Sequence, residues 1–169
     1  FMTNLADNLV RTAQKLPDGA AIKLDDFTLT WHQLDDATQR VVTFLRDHGI
    51  EPGDRVALSL ANVPAFPVIA YGVWRSGAVL VPMNPLFMGR EIDYYFEDAG
   101  VKLAFGMAGE MAKAAEQKSV TFVEVGDDQV RVAVVAERGD HEVARRRAEV
   151  LDVRVRVDRD GRVSREIGA

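Results

Sequence analysis

Few side chains in this 169-residue chain stand at spacings that do chemistry. Its histidines, His32, His48 and His141, lie far apart, and none has a metal-type spacing to a carboxylate. The chain has no cysteine, which excludes disulfides, thiolate metal sites and a cysteine nucleophile. His32 and His48 therefore read as helix-surface and helix-end residues. Asp25-Asp26, Asp35-Asp36 and Asp127-Asp128 are adjacent carboxylates. General acid–base work needs such groups converged in a pocket with shifted proton affinities. Each pair instead falls at a turn or an exposed helix position, so solvated turn chemistry is expected. Ser59, Ser76 and Ser119 have no nucleophile elbow around them.

Two further patterns touch on anions. "FGMAG", with Gly106 and Gly109, follows a strand and opens a helix, and such a turn can bind phosphate at the helix N-terminus. A third glycine and a ribose-binding acid at the right distance are missing, so a tight strand-to-helix turn is expected. Arg145-Arg146-Arg147 could touch nucleic acid. Glu142 and Glu149 flank it without interleaved aromatics, which reads as a solvated helix face. Trp31, Trp74, Tyr94 and Tyr95 fall at helical positions, as core or interface residues.

The elements that would position these residues are legible from periodicity. Residues 4–16 read as an amphipathic helix with Asn4 as N-cap and Leu5, Leu9, Ala13 and Leu16 on one face. "AAIKLDDFTLT" reads as two short strands around Asp25-Asp26. Thr30 and Gln33 form a capping box for a helix in which Leu34, Ala37, Val41, Leu45 and His48 share a face and Gly49 ends it. "NVPAFPVIAYGVWRSG" is apolar on nearly all sides and reads as a buried helix, with Pro67 awkward inside it. "AVLVP", residues 78–82, is a fully apolar strand of the kind found inside parallel sheets, ended by Pro82 and Pro85. A helix follows with Ile92, Tyr95, Phe96 and Ala99 inward and Gly100 at its end. The alternation over 53–125 is βαβαβαβ. The predicted class is α/β, a mostly parallel sheet flanked by helices.

Composition divides the chain. Of 40 residues in 130–169, 36 are Arg, Val, Ala, Asp, Glu or Gly. Residues 1–129 carry 11 basic and 18 acidic residues (net −7), and the extension 10 and 8 (net +2). "VRVAVV" and "VRVRVDRDGRVSR" alternate like strands with Asp160-Gly161 as a hairpin turn, and "HEVARRRAEVL" reads as a helix, giving a βαββ-like C-terminal extension. The expected division is 1–129, an α/β subdomain, and 130–169, an Arg/Val-rich extension of unknown origin. Two origins fit: a native cap over the sheet edge, or an off-frame reading of a GC-rich gene. The narrow residue set favours the second.

Several ordered segments resemble the N-terminal region of the adenylate-forming superfamily of acyl-CoA synthetases, luciferases and peptide-synthetase adenylation domains. "TLTWHQLDDATQRVVTFLRDHGIEPGDRVAL" is similar to that family's first core motif. "NVPAFPVIAYGVWRSGAVLVPMNPLFMGREIDYYFEDAGVKLAF" is similar to its second. "SGAVLVPMNP" with "REIDYYFEDAG" resembles the fatty-acyl and aryl-CoA synthetases, since peptide-synthetase domains usually carry Asp where this chain has Asn84. The resemblance implies an intact ligase that uses ATP and Mg²⁺ to make an acyl-adenylate and then transfers the acyl group to CoA. It also implies a Ser/Thr/Gly-rich phosphate loop ending in Lys-Gly soon after 125. No such segment occurs here. No catalytic, cofactor-binding or metal-binding residue is therefore expected, and no cofactor for this chain. The expectation is an N-terminal fragment of a fatty acid–CoA ligase, inactive alone, or alternatively a non-catalytic dimerising or partner-binding module.

The bulk numbers set the remaining expectations. Net charge is −5, with 47% hydrophobic and 28% charged residues. That balance gives no pull toward nucleic acid. With no apolar run of 18 residues and no leader-like segment, neither a membrane span nor a signal peptide is expected, and the natural start is read at Met2. A cytoplasmic protein follows, with an exposed apolar face leading to a homodimer or a protein partner.

Overall fold

The computed structural model describes residues 4–25 and 27–125 in full, and the strand backbones at 131–135, 151–152, 156–157 and 163–164. The elements run α1 (Asp7–Lys15), β1 (Ala20–Leu24), β2 (Phe27–Thr30), α2 (Trp31–Asp47), β3 (Arg55–Ser59), α3 (Ala65–Arg75), β4 (Val79–Pro82), α4 (Gly89–Ala99), β5 (Val101–Gly106), α5 (Glu110–Lys118) and β6 (Thr121–Val125). β7 (Arg131–Val135), β8 (Leu151–Asp152), β9 (Arg156–Val157) and β10 (Val163–Ser164) follow. The main sheet has the order β4-β3-β5-β6-β7-β8. β4, β3, β5 and β6 are parallel, and β7 and β8 join antiparallel. β1–β2 and β9–β10 are separate antiparallel pairs.

Strand alternation divides the core into two layers. Val56 and Leu58 of β3, Leu103 and Phe105 of β5, and Val123 and Val125 of β6 face Leu9 of α1, Leu34, Val41 and Leu45 of α2, and Ile69 and Val73 of α3. The intervening Ala57, Ala104 and Phe122 face Ile92 and Phe96 of α4 and Met111 and Ala115 of α5. The period of two sends alternate side chains to opposite faces, so both faces of the parallel strands are covered, as such sheets require.

Local signals fix the helix ends. Thr30 Oγ1 accepts the Gln33 N–H at 3.2 Å, while Gln33 Oε1 accepts the Thr30 N–H at 2.9 Å. This reciprocal pair is the capping box foreseen from the sequence. Gly49, Gly77 and Gly100 have φ of 72°, 83° and 62°, a region that costs glycine little. Pro67 fits without a kink. α3 begins at Ala65 with Pro64 as N-cap, so Pro67 falls in the first turn, where the backbone N–H lacks an intrahelical partner in any case.

Three sequence expectations need correction. α1 starts at Asp7, not at residue 4: Asn4 Oδ1 accepts the Ala6 N–H at 2.9 Å, and its Nδ2 donates to the Trp74 carbonyl at 2.6 Å. Asn4 thus ties the chain entry to α3, and Leu5 and Leu16 are exposed while Leu9 and Ala13 are buried. β4 lies at the sheet edge, not inside it, and Val79 is 47% exposed. Pro82 suits that edge because it has no N–H for a second ladder. In α4, Ile92 and Phe96 are buried, but Tyr95 and Ala99 only partly so.

β7 occupies the strand expected in "VRVAVV", and β9 pairs antiparallel with β10 on either side of the expected hairpin. The expected helix around 141–151 and the Asp160-Gly161 turn lie outside the described residues. No described helix is long and apolar enough to cross a membrane.

Candidate functional site

In open α/β sheets ligands bind outside the carboxyl ends of the strands, where successive connections diverge to opposite sides. Here that point lies between β3 and β5. The chain leaves β3 through α3 toward β4 on one side, and leaves β5 through α5 toward β6 on the other. The residues at this edge are Ser59, Met83, Asn84, Gly106 and the turn to Gly109.

Their chemistry is modest. Ser59 is buried at the end of β3. Asn84 Oδ1 accepts the Leu86 N–H at 2.9 Å, a turn-forming use of the side chain. Gly106 is tightly packed: a Cβ there would lie 2.6 Å from Met111 Sδ and 3.5 Å from the Ser59 carbonyl oxygen. Gly109 is the N-cap of α5 with φ 125° and ψ −131°, a conformation open essentially to glycine. Glu110 follows in the first turn and accepts from Lys113 Nζ at 2.8 Å. A carboxylate in the first turn complements the helix dipole itself. The Gly106–Gly109 segment is thus a tight strand-to-helix turn, as its sequence indicates.

The other singled-out residues are dispersed. His32 lies 3.8 Å from Asp36 on the exposed side of α2. His48 ends α2, with its ring stacked on Phe44 at 4.0 Å and Nδ1 2.7 Å from the Phe44 carbonyl oxygen. Asp25 sits in the β1–β2 turn at φ 50°. Ser76 Oγ donates to the Val73 carbonyl at the end of α3, and Ser119 ends α5 in the left-handed region. Trp74 meets Tyr71 edge-on at 5.3 Å, and Tyr94 is exposed. His141, Asp26, Asp127-Asp128 and Arg145–Arg147 lie outside the described residues. No group of three or more His, Asp or Glu is placed to hold a metal ion among the described residues.

Two ion pairs hold acids that are partly buried, with partners far away in the chain. Asp35 is not a solvated surface acid: its Oδ1 takes the Arg75 guanidinium at 2.6 Å, and Arg75 also donates to Thr38 Oγ1 at 3.1 Å. Asp54 Oδ1 meets Lys102 Nζ at 2.7 Å and its Oδ2 accepts the Glu51 N–H at 2.9 Å. The Lys102 hydrogen bond, then that of Glu51, hold the Asp54 carboxyl below its ordinary 3.8. Both partners of each pair are some 40 or more residues apart, and no local pattern reports them. A shallow groove of about 340 Å³, lined by Asn4, Leu5, Trp74, Gly77 and Ala78, lies at the opposite end of β4 from the strand carboxyl ends.

The sheet order and the glycine-punctuated βαβ succession agree with the comparisons. The model of the AMP-binding enzyme family matches residues 9–160, and the chain belongs to that family. The match runs past the expected division at 129. The chain is 32% identical over 116 residues to a long-chain-fatty-acid–CoA ligase of Bacillus subtilis, covering 69% of this chain and 21% of that one. It is 32% identical over 136 residues to an oxalate–CoA ligase of Arabidopsis thaliana, covering 75% and 26%. The chain thus spans a fifth to a quarter of these relatives. A benzoate CoA ligase from Burkholderia xenovorans shares the fold with a TM-score of 0.65 at 23% identity, over 72% of this chain and 25% of that one.

Proposed function

We propose that this chain is the N-terminal α/β layer of an ATP-dependent fatty acid–CoA ligase and performs neither half-reaction by itself. The observation that carries this reading is the 32% identity to the Bacillus subtilis fatty-acid ligase, set on the parallel βαβ succession. In the intact enzyme ATP and Mg²⁺ would serve acyl-adenylate formation, and CoA would then take the acyl group. The described residues do not fit that machinery. The first turn of α5 carries the acidic Glu110, which does not favour an anion there, and among the described residues no group of three or more His, Asp or Glu is placed to hold a metal ion. No step is therefore assigned to a residue of this chain, whose part is to form a rigid two-faced layer. A cytoplasmic location accompanies this reading.

A graft tests it. The 116-residue matching stretch replaces its counterpart in the Bacillus subtilis ligase, and acyl-CoA formation from a long-chain acid is followed. Retained activity is expected. A folded chimera, verified by circular dichroism, that neither adenylates nor forms thioester would contradict the proposal.

Leu5, exposed beside Trp74, and Val79, exposed on the edge strand β4, support contact with a second copy or another protein. Light scattering on a sizing column reads this, and a clean monomer that binds no apolar dye counts against it.

A further inference from the structure

The chain has no cysteine and five methionines, so oxidants that attack sulfur meet only thioethers. The fold sorts four of these into two classes. Met83 and Met111 are 5% and 6% exposed and pack in the layer beneath α4 and α5. The sulfur of Met111 is wedged so closely against Gly106 that a Cβ there would lie 2.6 Å away. Met88 and Met107 are 60% and 42% exposed. Met88 immediately precedes α4, and Met107 lies in the turn that leads to α5. These two helix starts adjoin: a Cβ on Gly89 would lie 3.6 Å from Glu110 Oε2. Leu86, also in the segment between β4 and α4, is 81% exposed.

We infer that Met88 and Met107 form a reversible oxidation site for hydroperoxides at these adjoining helix starts. The thioether sulfur attacks the distal peroxide oxygen; the O–O bond breaks as the S–O bond forms. Sulfur loses two electrons, and the peroxide leaves as an alcohol or water. A thiol-dependent sulfoxide reductase reverses the step, with two thiols becoming a disulfide and the oxygen leaving as water. The fold tolerates the change at these positions. Neither sulfur is packed in the core. Met88 already takes part in a capping box at the start of α4, with Glu91 Oε2 accepting the Met88 N–H at 2.8 Å, and a sulfoxide oxygen on Met88 would be a stronger acceptor for the Glu91 N–H than the thioether is. At Met83 or Met111 the same polar oxygen would enter a closed core, which is costly without a partner. The outcome of oxidation is a more polar surface at these positions on an intact fold.

The test treats the full chain with dilute hydrogen peroxide and follows each methionine by peptide mass mapping, so that Met2 is counted separately. Met88 and Met107 should oxidise at least about tenfold faster than Met83 and Met111, with the thermal midpoint unchanged, and all four rates should converge in urea. Methionine sulfoxide reductase with dithiothreitol should restore both. Equal native rates for Met83 or Met111, a falling midpoint on oxidation of Met88 and Met107, or sulfoxides that resist the reductase would each overturn the inference. The Met88→Leu/Met107→Leu variant should lose the fast phase at those two peptides while melting as before. A fast phase appearing instead at Met83 or Met111 in that variant would also overturn it.

Discussion

Arg75 at the end of α3 reaches Asp35 in the first turns of α2 at 2.6 Å, across the interface where these two helices pack. Both side chains are mostly buried, and the guanidinium also serves Thr38. Partly buried, multiply bonded pairs exceed the usual surface value. Asp35→Asn and Arg75→Met should each cost about 1–3 kcal/mol, and a double-mutant cycle read by urea unfolding should give a coupling of about 0.5–3 kcal/mol. Additive losses would show the pair to be incidental.

The same interface depends on Gly72. A Cβ there would lie 2.4 Å from Val41 Cβ and Cγ1, closer than packed atoms approach. Overpacking of this kind costs about 1–3 kcal/mol, so Gly72→Ala should destabilise the chain by that amount. Val41→Gly in the same chain, which removes both contacting carbons, should restore part of the loss, although Val41→Gly destabilises when made singly. Chemical denaturation of the three variants reads this directly, and no recovery would place the strain elsewhere.

Asp54 sets an acid limb. Its folded carboxyl titrates below the ordinary value of 3.8, chiefly through the Lys102 hydrogen bond. A depressed acid stabilises the fold above its unfolded pKa, and that stabilisation is lost as pH falls through the folded value. The contribution is therefore complete at neutral pH and disappears below about 3.8. Asp54→Asn and Lys102→Met should each flatten the stability profile in that window and leave its neutral-to-acid slope above pH 5 unchanged. An unaltered acid limb would contradict the assignment.

Much of this layer was written locally. Gly49, Gly77 and Gly100 mark three helix ends because left-handed backbone suits glycine, and the apolar runs that follow the helices mark β3, β5 and β6. The reciprocal bonds of Thr30 and Gln33 were equally visible. What failed was long-range. Asn4 has the type of a cap, but its bond to the Trp74 carbonyl lies 70 residues away and no local pattern reports it. The apolar run "AVLVP" points to an internal strand, while Pro82 within it carries the edge signal that matches β4's place in the sheet. Asp35 was read as solvated because Arg75 is 40 residues distant. The candidate edge followed the same division. The Gly106–Gly109 turn was legible, whereas the divergence of connections beside β3 required the topology.

The residue set of 130–169 carries its own prediction. An off-frame origin requires that the encoding DNA, read in another frame beyond codon 129, yields a Ser/Thr/Gly-rich segment ending in Lys-Gly. Absence of that segment from both other frames would make the extension native.

The central claim is that this layer belongs to an acid–CoA ligase while holding none of its reacting groups. ATP–pyrophosphate exchange with the purified chain and a long-chain fatty acid measures adenylation without needing CoA. The account predicts exchange indistinguishable from a protein-free blank. Exchange above the blank that depends on the fatty acid would contradict it, and would place a nucleotide site among residues now assigned to turns and packing.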